Sequence, residues 1–121
     1  MILAAAALAG AALLAPSGHA VEQSGYSVAD LLRPCIEGDS NARWGEAAET
    51  ECEQYIRGFT DLYLLLTDGG KVAGTCLPAT GNRADEIRWS FIRWAHRNFD
   101  ERHMPAVDGL LAVVRLEFKC P

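Results

Sequence analysis

The sequence predicts an all-α protein: a small disulfide-stapled bundle of about four helices behind a cleaved signal peptide. Three observations carry this. Apolar residues recur at steps of three and four in successive segments, with no alternating strand pattern to compete. Glycine- and proline-rich stretches separate those segments. Four cysteines follow an apolar leader in a chain of only 121 residues.

The leader is MILAAAALAGAALLAPSGHA, residues 1–20. It carries no acidic or basic side chain before His19, and its end, Gly18-His19-Ala20, fits the small-x-small pattern of signal-peptidase sites. Cleavage is expected after Ala20. The basic residue that usually precedes the apolar run is missing. The run, roughly residues 2–15, is short against the about 20 residues that a membrane span needs. Residues 21–121 are therefore expected to form one small mature domain, with no membrane attachment after cleavage. The net charge of −5 argues against nucleic acid as a partner.

The first helix starts with Ser27 as N-cap and Asp30 three residues later, a capping-box pattern. Pro34 and Gly38 are expected to limit it to about two turns. The second helix is expected over 46–66. Acids crowd its first turns, where they suit the helix dipole. Cys52, Tyr55, Ile56, Phe59, Leu62, Tyr63 and Leu66 supply its apolar stripe. Residues 68–82, DGGKVAGTCLPATGN, contain four glycines and a proline and form the long connection. The third helix is expected from about Asn82 to Phe99, with Asp85 at the capping-box position. DERHM makes a turn. Pro105 fits the first position of a fourth helix, whose stripe is Val107, Leu110, Leu111, Val114 and Phe118.

An up-and-down arrangement of these helices decides the cysteine pairing. Cys35 ends the first helix and Cys52 lies early in the second, so both sit at one end of an antiparallel pair. Cys76 follows the second helix at the opposite end, and the fourth helix returns Cys120 to that end. The expected pairs are Cys35–Cys52 and Cys76–Cys120. Other pairings would join helix ends roughly 20–30 Å apart at 1.5 Å rise per residue, beyond disulfide reach. The spacing contains no C-x-x-C redox motif and no paired zinc knuckle. No metal and no cofactor are expected.

The catalytic inventory is thin. Ser90 and His96 are six apart on one helix and point in different directions. His96 and His103 lack metalloprotease spacing, and Gly69-Gly70-Lys71 lacks P-loop spacing. The clustered Glu46, Glu49 and Glu53 suit a helix dipole rather than acid/base work. No enzyme is expected. Trp89 and Trp94 among Arg88, Arg93 and Arg97 leave two readings. They form a binding face, or one tryptophan is core, the other lies at its rim, and the arginines are solvated.

Four ordered motifs carry a resemblance. They are Leu31-Leu32-Arg33-Pro34-Cys35, then Cys52-x-x-Tyr55-Ile56-x-Gly58-Phe59, then Cys76-Leu77-Pro78, and a closing helix from Pro105-Ala106 to Phe118-Lys119-Cys120. In these the chain resembles the Rap/Tai immunity proteins of type VI secretion amidase effectors, over nearly the whole mature part. Two positions depart from the family pattern. Asn98-Phe99 stand where a His-Pro pair is frequent, and Lys119 stands where the closing motif often has proline. The resemblance implies a helical periplasmic protein, often a homodimer, which binds and blocks a peptidoglycan amidase by occluding its active site. The surfaces expected to meet that partner are the 68–82 loop with Lys71, the 99–105 turn with Arg102, and the third helix with Trp89, Arg93 and Arg97. A small periplasmic acid-stress chaperone, or an accessory protein of an envelope complex, is the alternative. Gly58 is expected to serve the close approach of a neighbouring helix or aromatic ring.

Overall fold

In the computed structural model the residues described are 25–40 and 43–121, and they form four α-helices. The expected signal peptide lies outside them. α1 (Val28–Glu37) begins at Ser27, whose hydroxyl accepts from the Asp30 amide while the Asp30 carboxylate accepts from the Ser27 amide. Both halves of the capping box are present. The hydrogen bonds from Ser27 hold the Asp30 carboxyl below the usual carboxylate range.

Pro34 lies inside α1, which has ten residues in all and stops at Gly38, as expected. A proline frees the carbonyl four residues back, here that of Asp30. The Tyr26 hydroxyl lies 3.3 Å from that oxygen and 2.8 Å from Glu51 Oε1, so one donor serves both acceptors. Burial first, and the adjacent Glu51 second, push the Tyr26 hydroxyl far above its ordinary pKa. Tyr26 also packs on Tyr55, with ring centroids 5.1 Å apart.

α2 (Gly45–Leu66) buries Ala48, Cys52, Ile56, Thr60 and Tyr63. Leu62 and Leu66, expected in the stripe, are exposed. Ile56, Thr60 and Tyr63 form the buried face there, and Leu62 lies on the outer face beside Gly58 and Phe59. Gly58 is also a correction: it is exposed, and a methyl group placed on it would meet no atom within 4 Å.

α3 (Arg83–Arg97) brings Ile87, Phe91, Trp94 and Ala95 into the core. Asn82 makes no capping hydrogen bond. Asp85, expected in a capping box, pairs instead with Arg88, at 3.5 Å. Phe99–Glu101 forms one 3-10 turn inside the expected turn. α4 (Ala106–Glu117) then buries Ala106, Gly109, Leu110, Val113 and Val114. Pro105 is its N-cap rather than its first residue. Val107 is exposed and Leu111 half-buried, because the stripe turns to bring Gly109 inward.

The disulfides close as expected. Cys35–Cys52 has a Cα–Cα distance of 4.9 Å, and Cys76–Cys120 one of 4.8 Å. Leu31, Ile56, Phe91 and Leu110 meet in one core cluster, where each contributes about 1.5–3 kcal/mol of burial. Of the described helices, none is long and apolar enough to cross a membrane.

Gly109 is the tightest approach in this core. A Cβ there would lie 2.6 Å from Val28 Cγ2 and 3.2 Å from Trp94 Cζ3. Both neighbours are buried and cannot yield freely. Gly109→Ala gains helix propensity but overpacks α4 against α1 and α3. A net loss of about 1–3 kcal/mol is expected, measured by urea denaturation. An equal or higher midpoint would show that α4 can shift to relieve the contact.

Candidate functional site

The long connection is a tied knuckle. Its chain reverses through Asp68, Gly69, Gly70 and Gly74, all at positive φ. At Gly70 (φ 92°) a side chain would also strike the Thr75 carbonyl, so glycine is required twice over. The ties begin at the last turn of α2. The Thr67 hydroxyl donates to the Tyr63 carbonyl at 2.6 Å and accepts from the Gly70 amide at 3.1 Å. Tyr63 Oη and Thr75 Oγ1, both buried, lie 2.6 Å apart. Beyond them, Cys76 donates to the Phe118 carbonyl at 2.8 Å and Cys120 to the Gly74 carbonyl at 2.9 Å. The Cys76–Cys120 disulfide completes this short antiparallel contact between loop and tail.

The knuckle holds apolar groups in water. Leu65, Leu66 and Val72 are 77%, 72% and 79% exposed, with Lys71 beside them. Scattered exposed leucines are ordinary on a soluble protein. Leu65 and Leu66 end α2 and Val72 lies on the connection, so exposed apolar residues flank the tied turn on both sides, the kind of feature that marks a contact surface.

The other expected contact residues separate into two places. Trp89 and Arg93 line a groove of about 400 Å³ with Glu86, Ser90, Glu117 and Phe118. Arg93 donates to the Ser90 hydroxyl at 3.1 Å, and Arg97 pairs with Glu117 at 3.2 Å. Trp94 is core and Trp89 lies at the rim, so the second reading of that pair holds for the tryptophans. Arg102 stands elsewhere, at the N-terminal end of α1. It donates to the Ala95 carbonyl at 3.2 Å and covers the Phe99 ring at 4.7 Å, while its own carbonyl accepts from Ala29. Of the motif residues, Ile56 is buried, and Tyr55 and Phe59 pack half-buried against the core. The Pro78 carbonyl accepts from Arg83 Nε at 3.1 Å and so fixes the loop to the start of α3.

The profile of the Rap1a immunity proteins matches residues 27–120. The chain belongs to that family. The match runs from the N-cap of α1 to the last cysteine, so both disulfides, the knuckle and all four helices fall inside it. Comparison with curated proteins and with solved structures gives no match. The family is one of immunity proteins, not of enzymes, and immunity implies a protein partner, the effector. Among the described residues, no group of three or more His, Cys, Asp or Glu could hold a metal ion. The family's departures from pattern are accommodated locally: Asn98 donates from its side chain to the Trp94 carbonyl at 2.8 Å, and Phe99 is exposed.

One residue behaves opposite to expectation. Arg88, expected to be solvated, is 2% exposed. Its Nε and Nη2 donate to the Cys35 carbonyl at 3.0 and 2.9 Å, and Nη2 also meets Asp39 Oδ1 at 3.0 Å. A signal for this existed. Arg88 lies four residues after Ala84 and three before Phe91, on the same helix face as both. α1 has no basic residue in its last turn, and Arg88 supplies from α3 the cation its C-terminus favours. Arg88→Met keeps volume but strips the Cys35 carbonyl and Asp39 of their donor. A loss of about 2–4 kcal/mol is expected, read from thermal and urea midpoints. A loss under about 1 kcal/mol would show that the buried guanidinium merely fills space.

Proposed function

We propose that this chain is a periplasmic immunity protein, exported by its leader, that binds a peptidoglycan amidase delivered by type VI secretion and covers its active-site cleft. It performs no chemistry itself. The observation that carries the contact is the knuckle, where exposed Leu65, Leu66 and Val72 sit on a segment already fixed by hydrogen bonds and a disulfide. A loop ordered in advance loses little conformational freedom on docking. Trp89 and Arg93 extend the contact, being residue types that dominate binding energy when desolvated. Membership of the immunity family supports an effector as partner. The sequence resemblance supports an amidase as its class, and the disulfides support an oxidising compartment.

The acid-stress chaperone reading has less support. Such a switch needs interior groups that change charge in acid. Among the described residues the buried polar side chains are Thr60, Thr75, Arg88 and Ser90, and none of these takes up a proton between pH 7 and 2. The lowered Asp30 carboxyl contributes stability above the ordinary carboxylate range, and this is lost as pH falls through its lowered value.

The test is inhibition of candidate peptidoglycan amidases by the mature chain, together with protection of cells that express one of them in the periplasm. Stoichiometric inhibition is expected. Val72→Asp and Leu65→Asp should each weaken it by about 10- to 1,000-fold, the range of a hot-spot loss, at unchanged thermal midpoint. If the parent chain neither inhibits nor protects, the immunity reading is lost. If it inhibits and both variants match it, the knuckle is not the contact.

We propose further that the chain forms a homodimer, and that it does so through the outer face of α2. Gly58 costs about 1 kcal/mol in a helix interior, yet nothing in its own fold approaches it. It lies in a groove of about 350 Å³ with Tyr55, Phe59, Leu62 and Val107. A second α2 crossing there would use both the glycine and the apolar groove, at a place free of charge repulsion. Gly58→Gln is expected to keep helix content and convert a sedimenting dimer to monomer. An unchanged sedimentation coefficient rules this face out.

A further inference from the structure

The two disulfides differ in what surrounds them. Cys35 and Cys52 are 0% exposed and belong to the core cluster, with Leu31, Ile56 and Ile87 beside them. Cys76 and Cys120 are both exposed, and neither belongs to that cluster. Thiol–disulfide exchange needs a thiolate to reach a sulfur of the bridge. That approach is open at Cys76–Cys120 and closed at Cys35–Cys52.

The hydrogen bonds around the exposed bridge divide what it holds. The knuckle has its own ties: Thr67 to Tyr63 and Gly70, Tyr63 to Thr75, and the Thr75 amide to the Gly70 carbonyl at 3.0 Å. None involves a cysteine. The tail 118–121 has fewer. It meets the loop through the Cys76 amide on Phe118, the Cys120 amide on Gly74, and the disulfide. Phe118 lines the Trp89–Arg93 groove, but it also packs against the core cluster and donates its amide to the Val114 carbonyl at 3.2 Å, so it is held by α4 as well as by the loop.

We propose that Cys76–Cys120 is a reducible latch on the tail, opened by a dithiol reductant while Cys35–Cys52 stays closed, so that the bundle, the knuckle and Phe118 persist and residues 119–121 are freed from the loop beside the groove. A thiolate of the reductant attacks one of the two sulfurs. The S–S bond breaks, the other cysteine leaves as thiolate and takes a proton from water, and a mixed disulfide forms. The second thiol of the reductant resolves it, releasing the remaining cysteine. Two electrons pass to the protein, and the dithiol becomes a disulfide. The consequence for inhibition rests on the immunity reading above; the latch itself does not.

The experiment treats the folded chain with graded dithiothreitol, traps thiols with N-ethylmaleimide and maps the labelled peptides. Cys76 and Cys120 should be labelled together, about tenfold faster or more than Cys35 and Cys52. Far-UV circular dichroism should stay unchanged at that stage, and the Cys120 amide should exchange its hydrogen faster. Simultaneous reduction of both pairs, or prior labelling of Cys35 and Cys52, overturns the proposal. The Cys76→Ser, Cys120→Ser double variant should keep its helix content and reproduce the faster exchange. Loss of helix in that variant also overturns it, because the bridge would then support the bundle. Labelling order needs no amidase, so failure of inhibition would sink the immunity reading and leave the latch decided on its own readout.

Discussion

The fold depends on how α1 is held. A helix of ten residues is marginal by itself in water, and this one carries a proline in its interior. Its last turn is fixed by two neighbouring devices at one residue. The Cys35 side chain is bonded to Cys52 on α2, and the Cys35 carbonyl accepts two hydrogen bonds from Arg88 on α3. One position of α1 thus joins three helices. Its first turn is held from the opposite side, where Val28 and Ala29 donate to the carbonyls of Met104 and Arg102 before α4. With both ends fixed, α1 covers α2, α3 and α4 at once, and Gly109 gives α4 the room to close on Val28.

Much of this was legible from residue order. Helical periodicity, the Ser27–Asp30 box and the glycine-rich connection mark the elements, since each is a local signal. The cysteine pairing followed because helix length forbids the alternatives. What was not legible concerns partners distant in sequence. Nothing near Arg88 says that it meets a carbonyl 53 residues earlier, and composition treats arginine as a surface residue. Nor does residue order say that Tyr26, eight residues upstream, serves the carbonyl that Pro34 leaves without a donor. Leu62 and Leu66 were placed in the core by their period alone. Period marks a broad stripe, but only its Ile56–Thr60–Tyr63 edge meets the other helices, and Leu62 falls on the open edge with Gly58.

The candidate site was legible in the same uneven way. Its glycines and Lys71 locate a loop, and a loop of that composition suggests mobility. The structure gives the opposite character, through the Tyr63–Thr75 hydrogen bond and the contact between residues 74–76 and the tail. Tyr63 had been counted as one more stripe residue. It does fill the stripe, but its hydroxyl also reaches out of the core to fix the far side of the knuckle. Trp89 and Arg93 share one groove, and the 99–105 turn, a separate candidate surface in the sequence, folds back on α1 through Arg102.

The two halves of the molecule answer different physical needs. A domain of this size has a small core, and the buried disulfide with Arg88 closes that core where the short helix would otherwise fray. The exposed bridge adds nothing to that cluster. It shapes a surface on which leucines and a valine stand in water at a cost in solvation, offset for solubility by a net charge of −5. Under the proposed function that surface is where the effector docks, and a rigid one favours a single shape of partner. The stability of the bundle and the specificity of the knuckle therefore rest on separate bonds, so that the contact surface can change by substitution without disturbing the helices that carry it.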